Sequence, residues 1–148
     1  MIKLTGQSIV ETVIAAALIS VAILAALSLS VYSQKQSTYA KNLAEASKYA
    51  SQGADWLRSQ RSLLGWTTMT TSSGLYCLNT LPTSPNDFTS LTPGACANNS
   101  YIAGTTFTRQ INVDNSNVVN GTLKITVSVT WQDSTVHSTS LETELTQW

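Results

Sequence analysis

The chain has 148 residues, a formal net charge of zero, 43% apolar residues and 11% charged ones. Two cysteines and one histidine are too few for a zinc site, and no basic stripe offers itself to phosphates. With about a third of the chain given to an apolar first segment, fewer than about ninety residues remain, enough for one small folded domain.

The first segment reads Met1-Ile-Lys-Leu-Thr-Gly6, then Gln7-Ser-Ile-Val-Glu11-Thr-Val. From Val13 to Val31 it continues for 19 residues without charge, Gly or Pro, long enough to span a bilayer. A secretory apolar core is shorter, roughly 7 to 15 residues, so a cleaved secretory signal or an uncleaved anchor with an incidental acid is the lesser reading. Ser20, Ser28 and Ser30 can place their hydroxyls on helix carbonyls, and the many alanines permit close helix approach. The exception is Glu11. An ionised carboxylate among lipid tails costs about 2.5 to 3.5 kcal/mol at a helix centre, so a compensating cation is expected.

This segment resembles the prepilin signal of type IV pilins and of type II secretion pseudopilins. The resemblance covers about 30 residues. It implies that a prepilin peptidase cuts between Gly6 and Gln7 and methylates the new amino group of Gln7. It further implies that Glu11, fifth in the mature chain, neutralises the terminal ammonium of a neighbouring subunit during filament assembly. Paired charges in lipid cost less than separated ones. The implied partners are the peptidase, other pilin or pseudopilin subunits, an inner-membrane assembly platform and the lipid bilayer. Many major pilins carry a helix-breaking Pro or Gly in the membrane half, and this chain has neither there.

Lys3, lost with the leader, orients the amino terminus to the cytoplasm. Lys35, Lys41 and Lys48 read weakly against that orientation, and the leader outweighs them. After Val31, Tyr32, Tyr39, Leu43, Ala46, Ala50, Ala54 and Leu57 form a stripe at helical period, with no Pro before Pro82. One helix is therefore expected from Gln7 to about Gln60. Gly53, isolated in it, is read as a point of close packing.

Beyond Ser62 the sequence turns to Thr, Ser, Asn, Gly and Pro, a loop region with one short strand expected at Leu75 to Leu78. Cys77 and Cys96, on the side expected to be oxidising, are read as a disulfide closing a loop over Pro82, Pro85 and Pro93. Trp66, Tyr76 and Phe88 are read as loop anchors before an adhesive surface. Then Leu123, Ile125, Val127, Val129 and Trp131 alternate strictly with polar residues, flanked by Phe107, Ile111 and Val113 before and Leu141 and Leu145 after. Three antiparallel strands are expected, covering the amphipathic half of the helix.

The resulting fold class is α+β: a long amino-terminal helix packed on a small antiparallel sheet. The divisions are a leader at 1–6, a transmembrane and assembly helix at 7–31, an amphipathic helix at 32–61 and a disulfide-closed β head at 62–148. The strands FTRQINVD, LKITVSVTW and HSTSLETELTQW are also similar to the carboxy-terminal part of minor pilins and minor pseudopilins, a less specific likeness.

Other chemistry finds little purchase. His137 with Asp133 invites a hydroxyl nucleophile, yet no nucleophile elbow, metal-binding pair or phosphate loop surrounds it. No catalytic residue and no cofactor are expected. Glu142 and Glu144 suit a solvated strand edge. Asp114, Asn115, Asn117 and Asn120 crowd a turn without the spacing of an EF-hand. From Ser62 onward Arg109 and Lys124 face five acids, so the head is not expected to bind nucleic acid. The expectation is a minor pilin anchored in the cytoplasmic membrane with its head outside, then built into a pilus. The alternatives are a type II secretion pseudopilin and, in another class, a membrane-anchored receptor or enzyme.

Overall fold

The computed structural model describes residues 7–82 and 88–147. One helix, α1 (Gln7–Leu64), is followed by a short α2 (Trp66–Thr71) and four strands, β1 (Gly74–Cys77), β2 (Thr108–Asp114), β3 (Thr122–Gln132) and β4 (Val136–Thr146). A 3-10 turn at Val118–Asn120 joins β2 to β3. The sheet is antiparallel throughout, in the order β1-β2-β3-β4. The fold is α+β, as the alternation of apolar and polar residues requires.

The chain divides into two compact units, Met1–Lys41 and Asn42–Trp148. The division falls within α1. In the first unit the described side chains are all exposed. In the second, burial begins with Ala46, Ala50, Gly53, Ala54 and Leu57, spaced four, three, one and three apart along one helical face. The expected stripe is therefore split: Tyr32 and Tyr39 stay exposed, whereas its members from Leu43 onward enter the core. The head accordingly begins at Asn42, and the boundary expected at 62 lies inside it.

The inner face of the sheet supplies the other half of that core. Ile111 and Val113 from β2, Leu123, Ile125, Val127, Val129 and Trp131 from β3, and Leu145 from β4 are all buried. Small helix residues allow this close approach. A Cβ added at Gly53 would meet Val127 Cγ1 at 3.0 Å and Arg109 Cδ at 3.1 Å, so the glycine is a packing requirement, as read from its isolation.

Two expectations for the region after Ser62 need correction. The helix runs four residues past Gln60, to Leu64, where Gly65 at φ 77 turns the chain out of helical space. A second helix then forms where a loop was expected, because Trp66 and Met69 share a face and Met69 is fully buried. Its threonines, weak helix formers, concealed it in the sequence. Tyr76 and Phe88 are buried with ring centroids 5.8 Å apart, and Trp56 lies 6.4 Å from Phe88. With Trp66 partly buried against the core, these rings anchor the loops and do not form an adhesive surface.

The short strand expected at Leu75 to Leu78 is β1, shifted by one residue to Gly74–Cys77, and it joins the sheet as a fourth strand, paired with β2 from Gly74↔Val113 to Cys77↔Gln110. Cys77 and Cys96 form the expected disulfide. The returning limb of the loop lies along the free edge of β1: Tyr76 bridges Pro93, and the Gly94 N–H donates to Leu75 O at 2.6 Å. That contact covers part of an edge that would otherwise be open to strand addition.

Candidate functional site

Of the residues singled out for processing, Gly6 lies outside the described residues, and Gln7 opens α1. Glu11 is exposed on the helix, among Val10, Ile14, Ala15 and Leu18. From Ile9 to Tyr32 the large apolar side chains are solvent-facing, with Ile9 and Leu29 both 69% exposed. This helix is long and apolar enough to cross a membrane. Its polar side chains are largely satisfied internally: Thr12 Oγ1 donates to Ile9 O at 2.8 Å, Ser20 Oγ to Ala16 O at 2.7 Å and Ser28 Oγ to Leu24 O at 2.9 Å. Ser30 makes no such bond among the described residues. Glu11 has no hydrogen-bond or salt-bridge partner among them either, so a carboxylate stands alone on a long apolar surface.

An apolar surface of this length is not left in water by a stable monomer. Lipid or neighbouring helices are its natural cover, and for either of them Glu11 is the expensive residue.

The head contains a buried charge. Arg109 is 2% exposed: its Nε donates to Leu78 O at 2.8 Å and its Nη1 to Tyr49 O at 3.0 Å. Its backbone N–H donates to Asn79 Oδ1 at 2.7 Å. Desolvation lowers the Arg109 pKa to about 10, so the guanidinium remains charged at neutral pH. It binds α1, the segment after β1 and β2 together through carbonyl oxygens. A signal was present in the sequence, because Arg109 occupies an inward position on the two-residue beat of Ile111 and Val113.

His137 proves half-buried and stacked on Trp131, centroids 5.3 Å apart. Thr135 Oγ1 lies 3.0 Å and Asp133 Oδ1 3.1 Å from His137, and both approach the same atom, Nε2. A nucleophile relay needs the hydroxyl and the carboxylate on opposite ring nitrogens, so these contacts close a turn and do not wire a catalytic chain. The Asp133 carboxyl is held below the usual carboxylate range, first by the backbone N–H of Thr135 and then by that of Ser134 and by His137.

In the Asn- and Asp-rich turn, Asp114 Oδ1 accepts the Ser116 N–H at 2.9 Å, which lowers its pKa, and Asn115 Nδ2 donates to Thr70 O at 3.3 Å. Asp114 Oδ1 is thus engaged in turn formation. Lys124 pairs with Glu142 across the sheet at 3.0 Å, and this contact raises the lysine pKa.

The chain thus combines an α+β head with one apolar helix long enough to cross a membrane. Comparison with protein-family models, with curated proteins and with solved structures gave no match.

Proposed function

We propose that this chain is a structural subunit, a minor pilin, of a type IV pilus-like filament. The observation that carries the reading is the exposed apolar helix with a solitary acid at Glu11, four residues from Gln7. Cleavage after Gly6 would create an ammonium at Gln7, and in a neighbouring subunit's helix Glu11 would offset it. The head would stand outside the cytoplasmic membrane, where a disulfide persists. The peptidase, other subunits and the inner-membrane assembly platform would be its partners. Supporting the reading, α1 continues without a break from the apolar segment into the packed stripe of the head, so that one element provides both assembly surface and core.

The test is incorporation. Glu11→Ala is expected to be cut and methylated yet to enter sheared filaments at least about tenfold less than the native chain, the factor that corresponds to losing roughly 1.4 kcal/mol. Glu11→Asp should recover part of the loss. Normal incorporation of the alanine variant would remove the proposed role of Glu11. A pseudopilin of a type II secretion system would use the same pairing, and recovery in surface filaments as opposed to a secretion complex separates the two.

A further inference from the structure

The outer face of the sheet, opposite the buried helix face of the head, carries a groove of about 320 Å³. Its floor is formed by Thr108 and Gln110 from β2 and Thr130 and Gln132 from β3. Its wall is the disulfide-tethered segment from Cys96, with Asn99 and Tyr101. No Asp, Glu, Lys, Arg or His lines it among the described residues.

That lining offers amides and hydroxyls without charge. With no cation to neutralise a phosphate or carboxylate and no carboxylate to hold a metal or amine, anions and cations have no partner here. The side chains of Gln110, Thr130 and Gln132 make no hydrogen bonds among the described residues, and they offer both donors and acceptors. Beside them Tyr101 is 48% exposed and Val136 71% exposed, giving the rim an aromatic ring and an apolar patch. A ligand that presents hydroxyls at its edges and C–H groups on its faces, without charge, satisfies both sets together.

The groove is also held in shape. Thr108 Oγ1 donates to Ser100 O at 2.8 Å, Asn79 Nδ2 donates to Ser100 Oγ at 2.9 Å, and the Ile102 N–H donates to Phe107 O at 2.8 Å. The Cys77–Cys96 bridge ties the start of the wall to the end of β1. Asn99 sits at φ 61, a left-handed conformation that the fixed wall maintains. Such preorganisation reduces the ordering cost of binding. Its volume falls at the lower end of the range for small-molecule sites, about 300 to 1,000 Å³.

We propose that this groove binds a neutral saccharide, with Tyr101 packing on a sugar face and Gln110 and Gln132 bonding its hydroxyls. This inference stands on the head alone and does not depend on filament assembly.

The test uses the full chain in lipid nanodiscs, which avoid the sugar headgroups of glycoside detergents. Saturation-transfer NMR would be recorded with lactose, cellobiose and N,N′-diacetylchitobiose, with sialyllactose and glucose 6-phosphate as charged comparisons. The expected result is transfer to the C–H protons of at least one neutral disaccharide, with weaker transfer to the charged sugars. Tyr101→Ala and Gln110→Ala should each weaken binding about fivefold, while Tyr101→Phe should remain within about twofold of native. Circular dichroism melting confirms that the variants are folded. For the wild type, competition by a capped Asn- and Ser-containing peptide supplies a readout that needs no variant. Absence of transfer from any neutral sugar at about 10 mM, stronger transfer to the charged sugars, displacement by the peptide, or undiminished binding in both alanine variants would overturn the proposal.

Discussion

At the scale of single residues, Gly53 and Arg109 carry the contact between helix and sheet in the head. Alanine at 53 would gain about 1 kcal/mol of helix propensity. It would also force a methyl against Val127, which is fully buried, and against the Arg109 stem. Overpacking of this kind costs about 1 to 3 kcal/mol, so Gly53→Ala should lower stability on balance and Gly53→Val more so, as read from thermal melts. Arg109→Met keeps much of the volume but leaves Leu78 O and Tyr49 O without their donor, and should cost about 1 to 3 kcal/mol in the same assay. The glycine's role was legible in its isolation within a helical stripe. The arginine's inward position lay on the beat of Ile111 and Val113, but its carbonyl partners, 31 and 60 residues away, were not legible. At Asp133 the turn introduces a pH dependence. The folded carboxyl titrates below its ordinary value, so its stabilisation is complete above the ordinary carboxylate range and is lost as pH falls through the lowered value. The advantage of native protein over Asp133→Ala should therefore be present at about pH 6 and shrink in acid, and an advantage independent of pH would contradict this.

Among the elements, the strands and α1 were readable because each repeats a simple period over many residues. β3 shows this best, with every second side chain from Leu123 to Trp131 buried. By contrast α2 has six residues and four threonines, and forms because Met69 finds a place in the core. Local propensity gave no hint of it. The disulfide was legible from cysteine count and position, though its structural consequence, a wall over the outer sheet face and a strap along β1, required the fold. By the chain-entropy estimate a loop of this length contributes about 3 kcal/mol. Replacing both cysteines by serine should reduce denaturant stability by about that amount, whereas an unchanged unfolding midpoint would show that the loop is held by its other contacts.

For the whole molecule, the head buries most of its large apolar residues while the described ones of the first unit are all exposed, and this asymmetry supports the proposal that lipid and then neighbouring copies cover them. The Gly6–Gln7 junction and Glu11 are a pattern of residue types in the sequence, and the pairing proposed for Gln7 and Glu11 between subunits would belong to an assembly that a single chain does not contain. The proposal rests on the amino terminus that the cell produces. The most direct measurement is intact and amino-terminal mass spectrometry of the chain purified from membranes of cells with an active prepilin peptidase. The proposal requires a chain that starts at Gln7 and is heavier by one methyl group. A chain recovered mainly uncut, with residues 1–6 retained, would contradict it.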